Sequence, residues 1–81
     1  MLRFAWDPRK AALNLRKHGV TFEEATTVFA DPLALIVEDV VLSDRAVIIG
    51  ESASRHILVA VFIEIAEDDA RIVSARPRNE P

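Results

Sequence analysis

The hydrophobic and polar positions of this chain change period partway along. From Leu2 to Trp6 apolar and polar residues alternate weakly, the pattern of a short strand at a sheet edge. Asp7-Pro8 then marks a helix start, because Asp caps the first turn and Pro is pre-organised for it. The helix is expected to reach His18 and stop at Gly19, which supplies a left-handed residue, with Val20 folding back onto Leu15. Lys17 and His18 in its last turn suit the helix dipole. Thr21-Phe-Glu-Glu24 reads as a capping box, in which the Thr21 hydroxyl accepts from the Glu24 amide and Glu24 reaches back. Phe22, Ala25 and Phe29 then form one apolar stripe, and Pro32 ends this second helix near Ala30.

From Leu33 the pattern is that of strands. They are expected at residues 33–37, 45–50, 56–65 and 71–76, with a polar turn at 51–55 and an acidic turn at 66–69. The connection at 40–44 has no predicted form, and residues 77–81 read as a loose tail. The stretch 56–65 is apolar at both odd and even positions, so it belongs in the middle of a sheet. Short connections make sequential strands antiparallel neighbours. The expected fold class is α+β over a single domain, residues 1–81: strand, helix, helix, then a four-strand antiparallel meander, the helical pair covering one sheet face. Little is left to cover the other face. A second copy of the chain or an obligate partner is expected there.

Composition narrows the chemistry. The chain has no cysteine, so disulfides, thiolate nucleophiles and Cys-based metal sites are excluded, and a cytoplasmic location fits. No apolar run approaches the roughly 20 residues that span a bilayer, and no signal peptide is visible. The net charge is −3 but unevenly spread: residues 1–20 carry +4 and residues 70–81 carry +2, while residues 21–44 hold six acids and no base. If the chain ends meet in space, a basic patch forms on an acidic protein; otherwise the surface is merely dipolar.

Gly19 and Gly50 are the only glycines, so there is no glycine-rich phosphate loop. His18 and His56 lack metal-ligand spacing, so neither a metal nor another cofactor is expected. Ser52, Ser54 and Ser74 suit turns and strand edges. The remaining candidates are Arg71, Ser74 and Arg76 on the last strand, with His56 and Glu64 at the ends of the central one. Arginine can hold a phosphate and stabilise charge developing on it, and histidine can move a proton near neutral pH. Strand alternation puts Arg71 and Arg76 on opposite faces unless a bulge intervenes. The plainer alternatives are edge-blocking arginines and polar strand ends. Trp6 is either a core ring or a stacking surface for an RNA base; Lys10 and Lys17 are either solvated or phosphate contacts; His18 reads first as a dipole partner.

These residues resemble a known family. Phe4-Ala-Trp6-Asp7-Pro8, Lys10, Asn14, Lys17-His18-Gly19-Val20, Phe22-Glu-Glu-Ala25, Val28-Phe29 and Asp31-Pro32 are similar to the N-terminal signature of the BrnT toxins. Arg45, Ile49-Gly50, Ser52, the apolar strand at 58–62 and Arg71-Ile-Val-Ser-Ala-Arg76 resemble the second half. The resemblance implies a RelE-like fold and a metal-independent ribonuclease that inhibits translation, the toxin of a type II toxin–antitoxin pair. It implies a BrnA-type ribbon-helix-helix antitoxin as partner, with operator DNA bound only through that antitoxin. By position it implies RNA contacts from Trp6, Lys10, Lys17 and His18, and catalytic roles for Arg71 and Arg76. His56 as proton-transfer group is an expectation from its chemistry, separate from the family. The family's usual basic C-terminal helix has no counterpart here. Two alternatives to an active enzyme follow: a toxin-like module that only pairs with an antitoxin, and a structural subunit that pairs with itself.

Overall fold

A computed structural model describes residues 2–38 and 44–80. Strand β1 (Arg3–Ala5) leads into helix α1 (Pro8–His18) and helix α2 (Phe22–Thr27), which tightens into a 3₁₀ turn at Val28–Ala30. Four strands follow: β2 (Leu35–Glu38), β3 (Arg45–Glu51), β4 (Ile57–Ala66) and β5 (Asp69–Pro77). The sheet order is β1-β5-β4-β3-β2, a meander of antiparallel neighbours as the pattern predicts. Strand β1 adds to its far edge in parallel with β5. The connection expected at 40–44 lies outside the described residues except for Asp44.

Local chemistry accounts for the helices. The Asp7 side chain accepts the Arg9 amide at 2.9 Å, and Gly19 closes α1 at φ 72°, donating its amide to Leu15. Val20 is buried in the core, while Leu15 stays about half exposed. Thr21 caps α2 by accepting the Glu24 amide at 3.0 Å, but the reciprocal half of the capping box is absent. The Glu24 carboxylate instead reaches Ser52 and His56. Strand ends also shift by a residue or two. Asp69 and Ala70 belong to β5, so the turn before it is only Glu67-Asp68, with Asp68 at φ 67°. The tail is not loose through residue 80: the Arg78 amide donates to Ile57, and the Glu80 amide to Pro77.

The core lies between α2 and one face of the sheet. Phe22, Val28, Ile48, Leu58 and Ile72 are its largest fully buried side chains. Trp6 packs edge-on against Phe22, with ring centroids 5.9 Å apart, and Phe29 stands edge-on to Phe62 at 5.0 Å. Gly50 sits where the loop after α2 crosses the sheet. A Cβ there would lie 2.8 Å from the Ala34 Cβ and 2.9 Å from Asp31 Oδ2, so the chain can pass only because that position is bare.

Helix α1 joins the sheet differently. It buries chiefly one polar residue, Asn14. The Asn14 amide nitrogen donates to the Ala75 carbonyl at 2.8 Å and to the Val20 carbonyl at 3.1 Å, and its oxygen accepts the Ala75 amide at 3.0 Å. Strand β1 pairs with β5 only from Asp69 to Arg71. Beyond it, the Asn14 side chain serves as the edge partner of β5. Leaving these backbone groups unpaired in the interior is costly. Asn14→Ala is expected to lower stability by about 2–4 kcal/mol, read as a fall in urea midpoint with the slope unchanged. Gly50→Ala is expected to cost about 1–3 kcal/mol by overpacking in the same measurement.

Candidate functional site

The sheet face away from α2 carries the arginines. Arg71 stands opposite Ile63, Ser74 opposite Val61 and Arg76 opposite Val59. The register slips between Val61 and Phe62, so Val73 is an extra residue on β5. This bulge reverses the alternation and brings Arg71, Ser74 and Arg76 onto one face. Their partners on β4 are four residues apart at the extremes, so the two arginine Cα positions lie about 13 Å apart with Ser74 between them. The floor around them is apolar: Val47, Ile49, Val59, Val61 and Ile63 are half-buried, and Ile57 and Ile65 are exposed.

Helix α1 forms a wall beside this face. Lys10, Leu13, Asn14, Lys17 and His18 recur at three- and four-residue spacing, so they share one stripe. With Val73 and Ser74 of β5 they line a shallow groove of about 200 Å³. Asn14 is the floor bolt of this groove, because it ties α1 to the backbone between Ser74 and Arg76. His18, the last residue of α1, pairs through Nδ1 with the Glu80 carboxylate. Arg76 donates from Nη1 to the Glu80 carbonyl at 3.3 Å. Arg3 is committed elsewhere. It grips both Asp69 oxygens, at 2.7 and 3.2 Å, and this hydrogen bond and charge push its guanidinium above the ordinary value.

The structure thus sets Lys10, Lys17 and His18 around Ser74, places Arg71 and Arg76 on the same face of β5 as Ser74, and links His18 to Arg76 through Glu80. It does not bring Trp6 or His56 to them. Trp6 is half-buried against Phe22. His56 precedes β4 and pairs through Nδ1 with Glu24 at 2.8 Å, facing a separate cavity of about 550 Å³ that Arg55 and Arg78 also line. Burial pushes the Glu24 carboxyl up, but hydrogen bonds from Ser52 at 2.7 Å and from His56, with the His56 charge, outweigh it and hold the carboxyl below its ordinary value. Asp31 is also held low, by the backbone amides of Glu51 and Leu33. At the other end of the sheet Glu38, Asp44, Glu64 and Asp68 rim a third cavity floored by Phe29 and Phe62, so the molecule is polarised along its strands.

Glu80 is a residue that sequence reasoning passed over, whereas Ser74 was already among the candidates on the last strand. The stripe at 10, 13, 14, 17 and 18 was a usable signal for the groove wall. Nothing local marks Glu80, whose partner lies 62 positions earlier. Among the described residues no three His, Cys, Asp or Glu side chains come together as metal ligands, and no helix is long and apolar enough to cross a membrane.

The fold is that of RelE-like toxins. A crystal structure at 1.1 Å of the Brucella abortus ribonuclease toxin BrnT superposes with a TM-score of 0.80 at 22% sequence identity, covering 99% of this chain and 100% of that one. Among curated proteins no relative matches. Residues 6–80 match the family described as ribonuclease toxin, BrnT, of type II toxin–antitoxin systems, and the chain belongs to that family.

The lowered Glu24 carboxyl has a pH consequence. A carboxyl whose folded pKa lies below its unfolded value, near 4.5 for Glu24, adds stability that is complete above that pH and is lost as pH falls through the folded value. Urea unfolding from about pH 7 down to about pH 3 is expected to show stability falling on the acid side. Glu24→Gln should flatten that fall while lowering stability at neutral pH.

Proposed function

We propose that the chain is an endoribonuclease toxin whose substrate lies across the α1–β5 groove. The observation that supports this reading is that Lys10, Lys17 and His18 line a groove with Ser74, whose face of β5 also carries Arg71 and Arg76, on a molecule of net acidic charge. Cations on a helix and on the strand face beside it can track successive phosphates of a single strand. The reaction is attack of a ribose 2′-oxygen on the adjacent phosphorus, needing no metal ion. Arg76 stabilises the charge that grows on the phosphoryl oxygens, Arg71 holds a neighbouring phosphate, and Lys10 and Lys17 guide the backbone. Trp6 and His56 are left outside this centre because of where their side chains are held.

The partner in this reading is a BrnA-type ribbon-helix-helix antitoxin. It would cover the apolar face on which Leu35, Val37, Ile57 and Ile65 are 41–60% exposed, and it alone would contact operator DNA. The same face also favours the reading of a toxin-like module that pairs without cleaving. The pair would act in the cytoplasm, where the RNA is.

Induction of the chain in a bacterial host is expected to arrest growth, and an Arg76→Ala version of equal soluble expression should permit it. Purified protein should cleave RNA in excess chelator, and Arg76→Ala should slow cleavage by about 10²–10³-fold. Normal growth with folded protein, and intact RNA after incubation, would leave the antitoxin-pairing module as the function.

A further inference from the structure

We propose that Glu80 is a positioning residue that acts through His18, and that His18 is the proton-transfer group; the inference rests on the ribonuclease reading above. His18 ends α1 and lines the groove beside Lys17 and Ser74, with its side chain 16% exposed. Its Nδ1 meets a Glu80 carboxylate oxygen. A carboxylate oxygen only accepts, so the Nδ1 proton belongs to this hydrogen bond and Nε2 is the ring nitrogen left for substrate. A carboxylate behind an imidazole fixes both tautomer and ring orientation, as in the triads of hydrolases.

Backbone geometry sets where Glu80 stands. The turn from Pro77 to Glu80 closes with the Glu80 amide donating to the Pro77 carbonyl at 3.2 Å. The Arg78 amide donates to the Ile57 carbonyl at 2.9 Å and ties that turn to β4. The Glu80 carbonyl in turn accepts from Arg76 Nη1 at 3.3 Å. One residue therefore holds the histidine from the helix and the arginine from the strand at once. His56 has a comparable carboxylate behind it, but its side chain is 66% exposed and faces the other cavity.

In the proposed step the 2′-hydroxyl proton passes to His18 Nε2 as the 2′-oxygen bonds to phosphorus. Arg76 stabilises the charge on the phosphoryl oxygens. The bond from phosphorus to the 5′-oxygen then breaks. The departing oxygen takes a proton from a water, and the proton held on His18 neutralises the hydroxide. The products are a 2′,3′-cyclic phosphate and a 5′-hydroxyl, and nothing is oxidised or reduced.

The test pairs a tautomer measurement with kinetics on the full chain. Long-range nitrogen–proton NMR of the imidazoles, with the His18 signals assigned from the His18→Gln spectrum, should show the Nδ1–H form. Glu80→Ala should shift His18 to the Nε2–H form. For cleavage of a short RNA, Glu80→Ala should lower kcat about 10–100-fold with little change in KM. Glu80→Gln, which keeps an acceptor oxygen, should recover part of the loss. His18→Gln should lower kcat by about 10²–10⁴-fold, and adding Glu80→Ala to it should cost nothing more. The Arg76 contact is kept in every variant, because it is made to the Glu80 backbone. A kcat unchanged by Glu80→Ala in a chain that cleaves RNA would overturn the proposal. A rise in kcat would also overturn it, making the carboxylate a plug of the site. An Nε2–H His18 in the unaltered chain would overturn the hydrogen bond itself. Absence of cleavage by the unaltered chain, with the Nδ1–H form present, would instead sink the ribonuclease reading and the proton transfer with it.

Discussion

The arrangement of this molecule hangs on one buried side chain. Asn14 offers an amide whose oxygen and nitrogen have the same spacing and polarity as a peptide group, and Ala75 treats it as one. Strand β5 thus has a peptide neighbour for its first three residues and a side-chain neighbour further on. Between these two neighbours the strand bulges at Val73, where its register with β4 slips. A bulge costs ladder hydrogen bonds and persists only where the neighbours on both sides are pinned. Here β4 pins one edge, and β1 and Asn14 pin the other. The same amide fixes how close α1 approaches the strand, while the slip against β4 sets the facing of the arginines.

A second organising fact is the separation of charge along the strands. Glu38, Asp44, Glu64, Asp68 and Asp69 gather with Arg45 at one end of the sheet, and Lys10, Lys17 and His18 gather along α1. With a Debye length near 8 Å at physiological salt, roughly, a polyanion approaching the groove is screened from the acidic end. Net charge is therefore a poor guide to what this surface attracts. The floor between the arginines adds to the effect. Half-buried valines and isoleucines hold few polar groups that could compete for a phosphate, and they lower the local dielectric beneath it.

Much of the fold was legible because its signals are local. Asp7-Pro8, Gly19 and Thr21 mark helix ends through groups within four residues of one another, and each cap forms as its chemistry requires. The apolar stretch of β4 could be placed at the centre of a sheet from its two-sided pattern alone. What stayed hidden depends on partners far along the chain. Alternation puts Arg71 and Arg76 on opposite faces, and the bulge that unites them is a slip against β4 that no residue around Val73 marks. Glu24 satisfies the sequence rule for a capping box, yet Ser52 and His56 outbid its own helix for the carboxylate. Glu80 read as part of a polar tail because its partner stands on α1. Of the residues carried by motif, Lys10, Lys17 and His18 stand on α1 and Arg71 and Arg76 on β5, but Trp6 packs against Phe22; His56, chosen for its chemistry alone, lies at another cavity.

The pairing of the first and last elements bears on when this protein becomes itself. Arg3 meets Asp69 across 66 positions, and Asn14 meets Ala75 across 61. The meander β2–β5 closes through short connections, but β1 and α1 have nothing to dock against until β5 exists. During vectorial synthesis the residues of β1 and α1 must wait, unpaired, until β5 has emerged. The cationic groove is therefore among the last features to assemble. Neither wall of the groove can face the other until the ribosome has made β5.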